Sequence, residues 1–460
     1  MLYDDPKALA YPLPEDLRKV KGAGDYARLD RMLDLRLGDD KLPEALRARL
    51  RLEKRIIERI PREYPYDLAG ALALLQAELE GVTGAELEAF IDSGKVDFIY
   101  LDGALRLHRL FLSNLIKTRP ELASRVKKPE RLAYKRQNFA ALDAVIDEMK
   151  RAGGAARRWH VRHELRVRPE ALRPGEPLLV HLPLPVEYDC VRNFRLMDSG
   201  PVAGYVSDAD QRTIAFRKPC APGDVFFAEY AFEVHMPYRR LDPAAATGGA
   251  PGGEDALSEQ PPHIAFTPLV RAVAEEIRGD ERNPLRLARR VYDFLTTRPI
   301  YSYVRSYFTY PNLTEHMLTA MKGDCGIFAL AFITLCRCLG VPARWQSGLY
   351  CAPHDVGCHD WAQFYCAPWG WLPVDCSFGN AAYHNGDRER WDFYFGHMDP
   401  FRLPAARAFQ RPFDPPKRHL RSDPYDNQSG EAEYDDAGLM SWEFEEECRL
   451  LDWEKLENDG

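Results

Sequence analysis

Residues 323–379 read GDCGIFALAFITLCRCLGVPARWQSGLYCAPHDVGCHDWAQFYCAPWGWLPVDCSFG, a stretch that offers a cysteine, a histidine and an aspartate in settings suited to nucleophilic catalysis. Cys325 follows Gly323-Asp324 and precedes the apolar run FALAFITLCRCL, which ends at Gly340 and Pro342, a helix stop. A cysteine in the first turn of a helix lies at the positive end of the backbone dipole, which favours thiolate over thiol. Position alone is therefore expected to raise the nucleophilicity of Cys325. Three strand-like segments follow, ARWQSGLY, HDWAQFYC and GWLPVD, with Ala367-Pro368-Trp369-Gly370 as a turn between the last two. A hairpin centred on position 367 sets His359 and Asp375 roughly opposite each other. Period two puts His359, Trp361 and Gln363 on one face and Asp360, Ala362 and Phe364 on the other. Asp375 can then orient the imidazole of His359, which pairs with Cys325.

At these residues the sequence resembles the transglutaminase-like superfamily, whose core is papain-like. The resemblance rests on G-x-C at a helix start (Gly323-Asp324-Cys325), the exit Gly340-Val341-Pro342-Ala343-Arg344, the strand from His359-Asp360-Trp361 to Tyr365, and Trp371-Leu372-Pro373-Val374-Asp375. It covers residues 265–403 and implies a catalytic triad of Cys325, His359 and Asp375. It also implies an oxyanion site made by a backbone N–H of the nucleophile and an upstream side chain. Tyr301 and Tyr303, on the strand-like RPIYSYV, are both candidates for that side chain, and Trp361 is a candidate substrate contact. Asp360 stands where the family more often has a small residue, and Cys376 where it usually has proline. Alternation sends Asp360 to the face away from His359, so Asp375 is kept as the orienting acid. Seven of the ten cysteines fall between Cys325 and Cys376, and the mid-helix Cys336 and Cys338 read as small packing residues.

At 460 residues the chain exceeds the roughly 250–300 that one core supports, so several domains are expected. The fold class read from the sequence is α+β and multidomain: a helical N-terminal region (1–155), a β-sandwich-like domain (156–241), a flexible linker (242–262), the transglutaminase-like catalytic domain (263–403) and an acidic C-terminal tail (404–460). The helical segments include YARLDRMLDLRLG, LPEALRARLRLEKRIIERI and DGALRLHRLFLSNLIKT, the last with apolar positions at helical spacing from Leu105 to Ile116. Between Trp159 and Arg240 the period changes to two, in segments rich in Val, Phe and Tyr. His160, His163, His181 and His235 alternate there with basic and apolar neighbours and read as surface or strand-pair histidines. The linker, DPAAATGGAPGGEDALSEQPP, is too rich in Ala, Gly, Pro and acids to pack. The tail is expected to be solvated or to dock its few aromatics on its own domain.

Net charge is −8, and residues 431–460 alone carry −10, which leaves a nearly neutral body and suggests neither nucleic acid nor an anionic membrane as a partner. The start, MLYDDPKALAYPLPEDLRKVKG, has acids and prolines where a secretory signal needs a basic end and an apolar run. No later stretch approaches the roughly 18 apolar residues of a membrane span. With ten cysteines, this points to a cytoplasmic protein with free thiols.

The chemistry expected is acyl transfer on a peptide or protein amide through a Cys325 thioester. Hydrolysis, by a cysteine peptidase or amidase, is favoured over amine transfer by a protein-glutamine transglutaminase, and neither metal nor cofactor is required. Two other classes compete: a zinc module using Cys351, His354, Cys358 and His359, which lacks a paired C-x-x-C knuckle, and a catalytically silent scaffold whose helical region recruits a protein partner.

Overall fold

A computed structural model describes residues 6–128, 130–188, 190–249, 256–353 and 355–457. The chain is α+β and forms two compact units, Met1–Ala133 with Tyr301–Pro311, and Tyr134–Ile300 with Asn312–Gly460.

The first unit is built largely from helices, among them Tyr26–Leu37, Leu68–Glu78 and Gly84–Asp92. Asp25, Asp67 and Thr83 cap these three by accepting hydrogen bonds from first-turn N–H groups. Part of its core gathers Leu75, Leu87, Phe90, Leu107, Phe111 and Leu115. The helix expected from Leu105 to Ile116 is instead a hairpin, Phe98–Leu101 with Ala104–Leu107, followed by a helix at Phe111–Thr118. Asp102 and Gly103 both take positive φ, 50° and 86°. That is the signature of a two-residue primed turn, for which Asp-Gly is a preferred pair, and it overrides the helical spacing of the residues after it.

The second unit holds two four-stranded antiparallel sheets. Their orders are Glu431–Tyr434, Pro177–Pro183, Thr213–Pro219, Tyr205–Val206 and Phe444–Leu456, Gly154–Val167, Phe226–Pro237, Val191–Gly200. Each sheet takes an edge strand from the region read as an acidic tail. For the second of them, charge complementarity joins two segments that look unrelated in sequence. Strand Phe444–Leu456 runs antiparallel to Gly154–Val167, and its acids meet the basic residues there: Glu454 pairs with Arg158 at 2.6 Å and Glu446 with His163 at 2.6 Å, while Arg449 reaches back to Glu164 at 3.1 Å. Trp453 stacks on the fully buried Trp159 with centroids 6.0 Å apart. Of the other histidines read as strand-pair residues, His160 meets Glu229 at 2.9 Å and His235 meets Glu233 at 3.1 Å.

Residues 250–255 of the expected linker lie outside the described residues, and both flanks are tied to the core. Thr247 and Ala367 exchange backbone hydrogen bonds of 2.9 and 3.2 Å, and Arg337 donates to Ser258 O at 2.7 Å. The catalytic region shares this compact unit with the sandwich.

The region contains a third antiparallel sheet, ordered Gly370–Val374, Asp355–Cys366, Ala343–Ala352, Arg402–Ala406. Helix Cys325–Cys338 packs on it with every residue from Gly326 to Arg337 buried, as expected for a helix apolar all round. Among the described residues, no helix is long and apolar enough to cross a membrane.

Two buried histidines of this unit make its stability depend on pH. Burial pushes His181 down to about 3, helped by the Lys417 and Arg421 charges of the C-terminal segment, and burial alone pushes His263 down to about 3. The folded state keeps both neutral while the unfolded chain protonates them below the ordinary value of about 6.5. Their contribution is therefore present above pH 6.5 and is lost as pH falls from there toward 3. Urea midpoints measured down the pH scale should fall through this window, and His181→Gln should flatten the fall.

Candidate active site

Cys325 is the first residue of its helix, and Asp324 is the N-cap, its Oδ1 accepting from Ile327 N–H at 3.4 Å. Asp375 ends the hairpin and caps the next helix, Cys376–His384, accepting from Phe378 N–H at 2.9 Å. The hairpin pairs Gln363 with Pro373 and Tyr365 with Trp371. It is therefore centred on Pro368, one position beyond the expected 367, and His359 and Asp375 are diagonal neighbours rather than direct opposites. Extrapolating the ladder keeps them on one face, because the offset is even.

His359 Nε2 lies 2.7 Å from Asp375 Oδ2 in a fully protein-enclosed setting, with 6 % of the histidine and none of the aspartate exposed. The imidazole packs against Phe378, centroids 4.7 Å apart, and stacks with Trp361 at 6.0 Å and an interplanar angle of 22°. Asp375 is saturated: Oδ1 also accepts from Ser377 Oγ at 2.9 Å, and Oδ2 accepts from Arg402 Nη1 at 3.0 Å. Arg402, itself fully buried, donates through Nη2 to Asp399 Oδ2 at 2.7 Å, and Tyr394 OH donates to the same oxygen at 3.0 Å. Burial by itself would raise the Asp375 carboxyl, but His359 and Arg402 outweigh it and hold the carboxyl well below the usual range. Burial pushes His359 down, and the Asp375 charge only partly offsets this, so the imidazole rests neutral.

The sulfur of Cys325 donates its hydrogen bond to Asp360 Oδ2 at 3.5 Å, not to His359. Asp360 Oδ1 in turn accepts from Gln428 Nε2. Alternation does send Asp360 to the face opposite His359, since Ser347 faces Asp360 and Gly348 faces His359 along the ladder. The expectation that this removes Asp360 from the site fails, because that face meets the start of helix Cys325–Cys338. The thiol is pushed well above its ordinary value by burial first and then by the Asp360 and Asp324 carboxylates, so the expected thiolate is not the resting form. Burial first, then Asp324 and Asp423, also raise the Asp360 carboxyl, and the hydrogen bond from the Cys325 thiol acts the other way, favouring its ionised form.

Tyr301 and Tyr303 belong to the first compact unit, whereas Cys325, His359 and Asp375 belong to the second. The two rings meet edge to face, 5.6 Å apart, with the Lys117 ammonium 3.8 Å from the Tyr301 centroid and 4.6 Å from that of Tyr303. Asn114 fixes the backbone there by accepting from Tyr303 N–H at 2.7 Å and donating to its carbonyl at 2.9 Å. Trp361 lines a cavity of about 580 Å³ with Gln346, Gln363, Trp371, Tyr188 and Arg239. The Gln346 side-chain nitrogen is buried there with no hydrogen-bond partner among the described residues. Of the zinc alternative, His354 lies outside the described residues; among the described residues no group of three or more His, Cys, Asp or Glu could hold a metal ion.

Arg402 and Gln428 were not singled out in the sequence, and Asp360 was weighed only as a rival to Asp375 and set aside. Arg402 lies 27 positions beyond Asp375 with no local motif to tie them, whereas Asp360 had a signal, the departure from a small residue beside the histidine. Replacing Arg402 by Leu leaves Asp375 and Asp399 as buried carboxylates without their cation, a loss expected to cost about 3–5 kcal/mol. Denaturant midpoints of the variant and the parent chain measure it.

Residues 271–376 match the family model of the transglutaminase-like superfamily. No curated protein matches the chain. Among solved structures, a candidate cysteine protease from Cytophaga hutchinsonii is 15 % identical, aligned over 65 % of this chain and 91 % of that one with a TM-score of 0.40. The periplasmic domain of TgpA from Pseudomonas aeruginosa is 16 % identical over 54 % of this chain and 95 % of that one, with a TM-score of 0.29. The matched residues run from within helix Pro268–Arg278 through helix Cys325–Cys338 to the end of the Asp375 hairpin, and so this part of the chain is transglutaminase-like.

Proposed function

We propose that Cys325 attacks an amide carbonyl of a peptide or protein, that His359 and Asp375 complete the triad, and that water resolves the thioester. One observation carries this reading. A buried His359–Asp375 pair, 2.7 Å apart and held by Arg402, stands in the same compact unit as a cysteine at the start of an apolar helix.

The electrostatics favour a neutral pair over a preformed thiolate–imidazolium pair. The thiol gives its proton to the neutral imidazole as the sulfur attacks, and the imidazolium so formed is stabilised by Asp375. The backbone N–H groups at the helix start suit the oxyanion. His359 then returns the proton to the leaving amine, and water, deprotonated by His359, releases the acid and restores the thiol. The cavity beside Trp361, with three tryptophans among its lining residues, is the natural seat for the acyl group. Tyr301 and Tyr303 stay proposals for the oxyanion site. A cytoplasmic location and a protein partner for the helical region likewise rest on the sequence alone.

A second reading, a silent binding scaffold, is favoured by the hydrogen bond that ties the sulfur to Asp360. Turnover of fluorogenic peptide amides, with and without an added primary amine, separates the readings. Hydrolysis gives free acid in both conditions, a transglutaminase gives the amine adduct, and a scaffold gives neither.

Cys325→Ala is expected to abolish turnover without loss of stability, and Asp375→Asn to lower kcat by roughly a hundredfold or more. Because burial lowers His359, the acidic limb of kcat/KM should fall below the ordinary imidazole value of about 6.5; a limb above it would contradict the neutral-pair mechanism.

A further inference from the structure

The C-terminal segment that supplies edge strands to the sandwich also reaches the nucleophile. Between Lys417 and Glu431 it is pinned by buried polar contacts within the same compact unit. Lys417 Nζ meets Glu431 Oε2 at 2.7 Å, and Arg421 Nη1 donates to Gln211 Oε1 at 2.6 Å. Asn427 Nδ2 donates to Arg212 O at 2.7 Å and Ala405 O at 2.9 Å. Asn427 N–H also reaches Ser347 Oγ at 3.4 Å, and Ser347 is the residue paired with Asp360 across the ladder. Gln428 follows directly, and its amide holds Asp360 Oδ1 while Asp360 Oδ2 holds the sulfur. Asp360 and Gln428 are 3 % and 8 % exposed, so this chain of contacts is sheltered from water, where a hydrogen bond is worth more than at the surface.

We propose that Asp360 is a positioning residue that holds the resting Cys325 thiol through the Sγ–H···Oδ2 hydrogen bond, and that Gln428 of the C-terminal segment holds Asp360 in turn. The inference rests on the reading of Cys325 as the nucleophile. A carboxylate accepting a hydrogen bond from the thiol and lying on the face away from His359 does two things. It opposes the charge that attack would develop on sulfur, and it competes with the imidazole for the proton. The segment from Lys417 to Glu431 therefore sets the reactivity of the cysteine, and attack on a carbonyl requires the sulfur to leave Asp360 for His359.

Other charges act on the same point from each element packed there. Asp324 at the helix start and Asp375 across the hairpin both oppose a thiolate at Cys325; the latter is countered by the Arg402 guanidinium. Asp423 and Asp426, from the C-terminal segment, act on Asp360, with Arg421 facing Asp426. Asp360 is the carboxylate that touches the sulfur, so its removal should dominate.

The test is the rate of iodoacetamide alkylation of Cys325, followed by peptide mass spectrometry across pH in the full chain, because ten cysteines require site-resolved counting. Parent Cys325 should react slowly at neutral pH. Asp360→Asn, which keeps the shape and removes the charge, should lower the midpoint by at least one pH unit and so speed alkylation at pH 7 by about tenfold or more. Gln428→Ala leaves the carboxyl in place and frees it, and should move the midpoint in the same direction by less, while Asp360→Glu should restore parent behaviour. A role confined to folding would change thermal stability without moving the midpoint. An unchanged or slower Asp360→Asn, or a parent Cys325 already reactive at pH 6, overturns the proposal. Alkylation needs no substrate, so a faster Asp360→Asn in a chain that turns over no amide would sink the proposed function and leave this inference standing.

Discussion

The ionic bridge from Asp375 through Arg402 to Asp399 is the constraint on which the catalytic half of the structure depends. None of its three side chains is exposed, and a buried carboxylate without compensation costs several kcal/mol. One guanidinium satisfies two carboxylates on segments 24 positions apart, at 3.0 and 2.7 Å. Asp375 also caps a helix and binds the imidazole, so the hairpin, the following helix and strand Arg402–Ala406 are fixed together by a single carboxyl group. Gly348 lets that last strand come close: a Cβ at this position would collide with the Leu403 carbonyl. The histidine thus inherits its orientation from a network whose members lie well outside the signature residues.

The parts of the site that were legible in the sequence are those whose cause is local. The helix from Cys325 announces itself by its apolar run and its Gly340–Pro342 exit, and the hairpin by alternation around a Pro-containing turn. The even spacing of His359 and Asp375 was enough to put them on one face, though the turn centre was misjudged by one position. What failed was anything set by partners distant in sequence. Arg402 and Gln428 carry no pattern of their own, Asp360 shows only as a departure beside the histidine, and their roles exist only once strands from positions 347, 360 and 402 lie side by side.

The same distinction explains the ends of the chain. Residues 444–456 look like a solvated acidic tail because a local reading sees the acids and not the arginines that face them. Strand Gly154–Val167 alternates Arg and His with apolar residues, which reads as an exposed basic face. Each segment alone is highly charged, and together they form a ladder with cross-strand ion pairs. The Asp102-Gly103 turn is a different kind of miss. Its signal was present and local, but helical spacing from Leu105 onward was given more weight than a dipeptide that closes hairpins.

Magnitudes decide the resting state of Cys325. A helix N-terminus contributes about 0.3–1 kcal/mol to a nearby anion at the surface and up to about 2 when partly buried. Removing a thiolate from water and setting it beside carboxylates acts in the opposite sense, and burial alone shifts ionisable groups by as much as 3–5 pKa units. The dipole at Cys325 is therefore outweighed, and the position that makes a cysteine reactive on an open helix end does not do so here. The imidazole is subject to the same burial, and it too rests uncharged. Two neutral partners avoid the desolvation of a standing ion pair, but the proposed transfer of the thiol proton to the imidazole must then create that pair inside the protein. The Asp375–Arg402–Asp399 bridge suits this demand, because a carboxylate already held by a cation needs little rearrangement when the neighbouring imidazole takes up a proton.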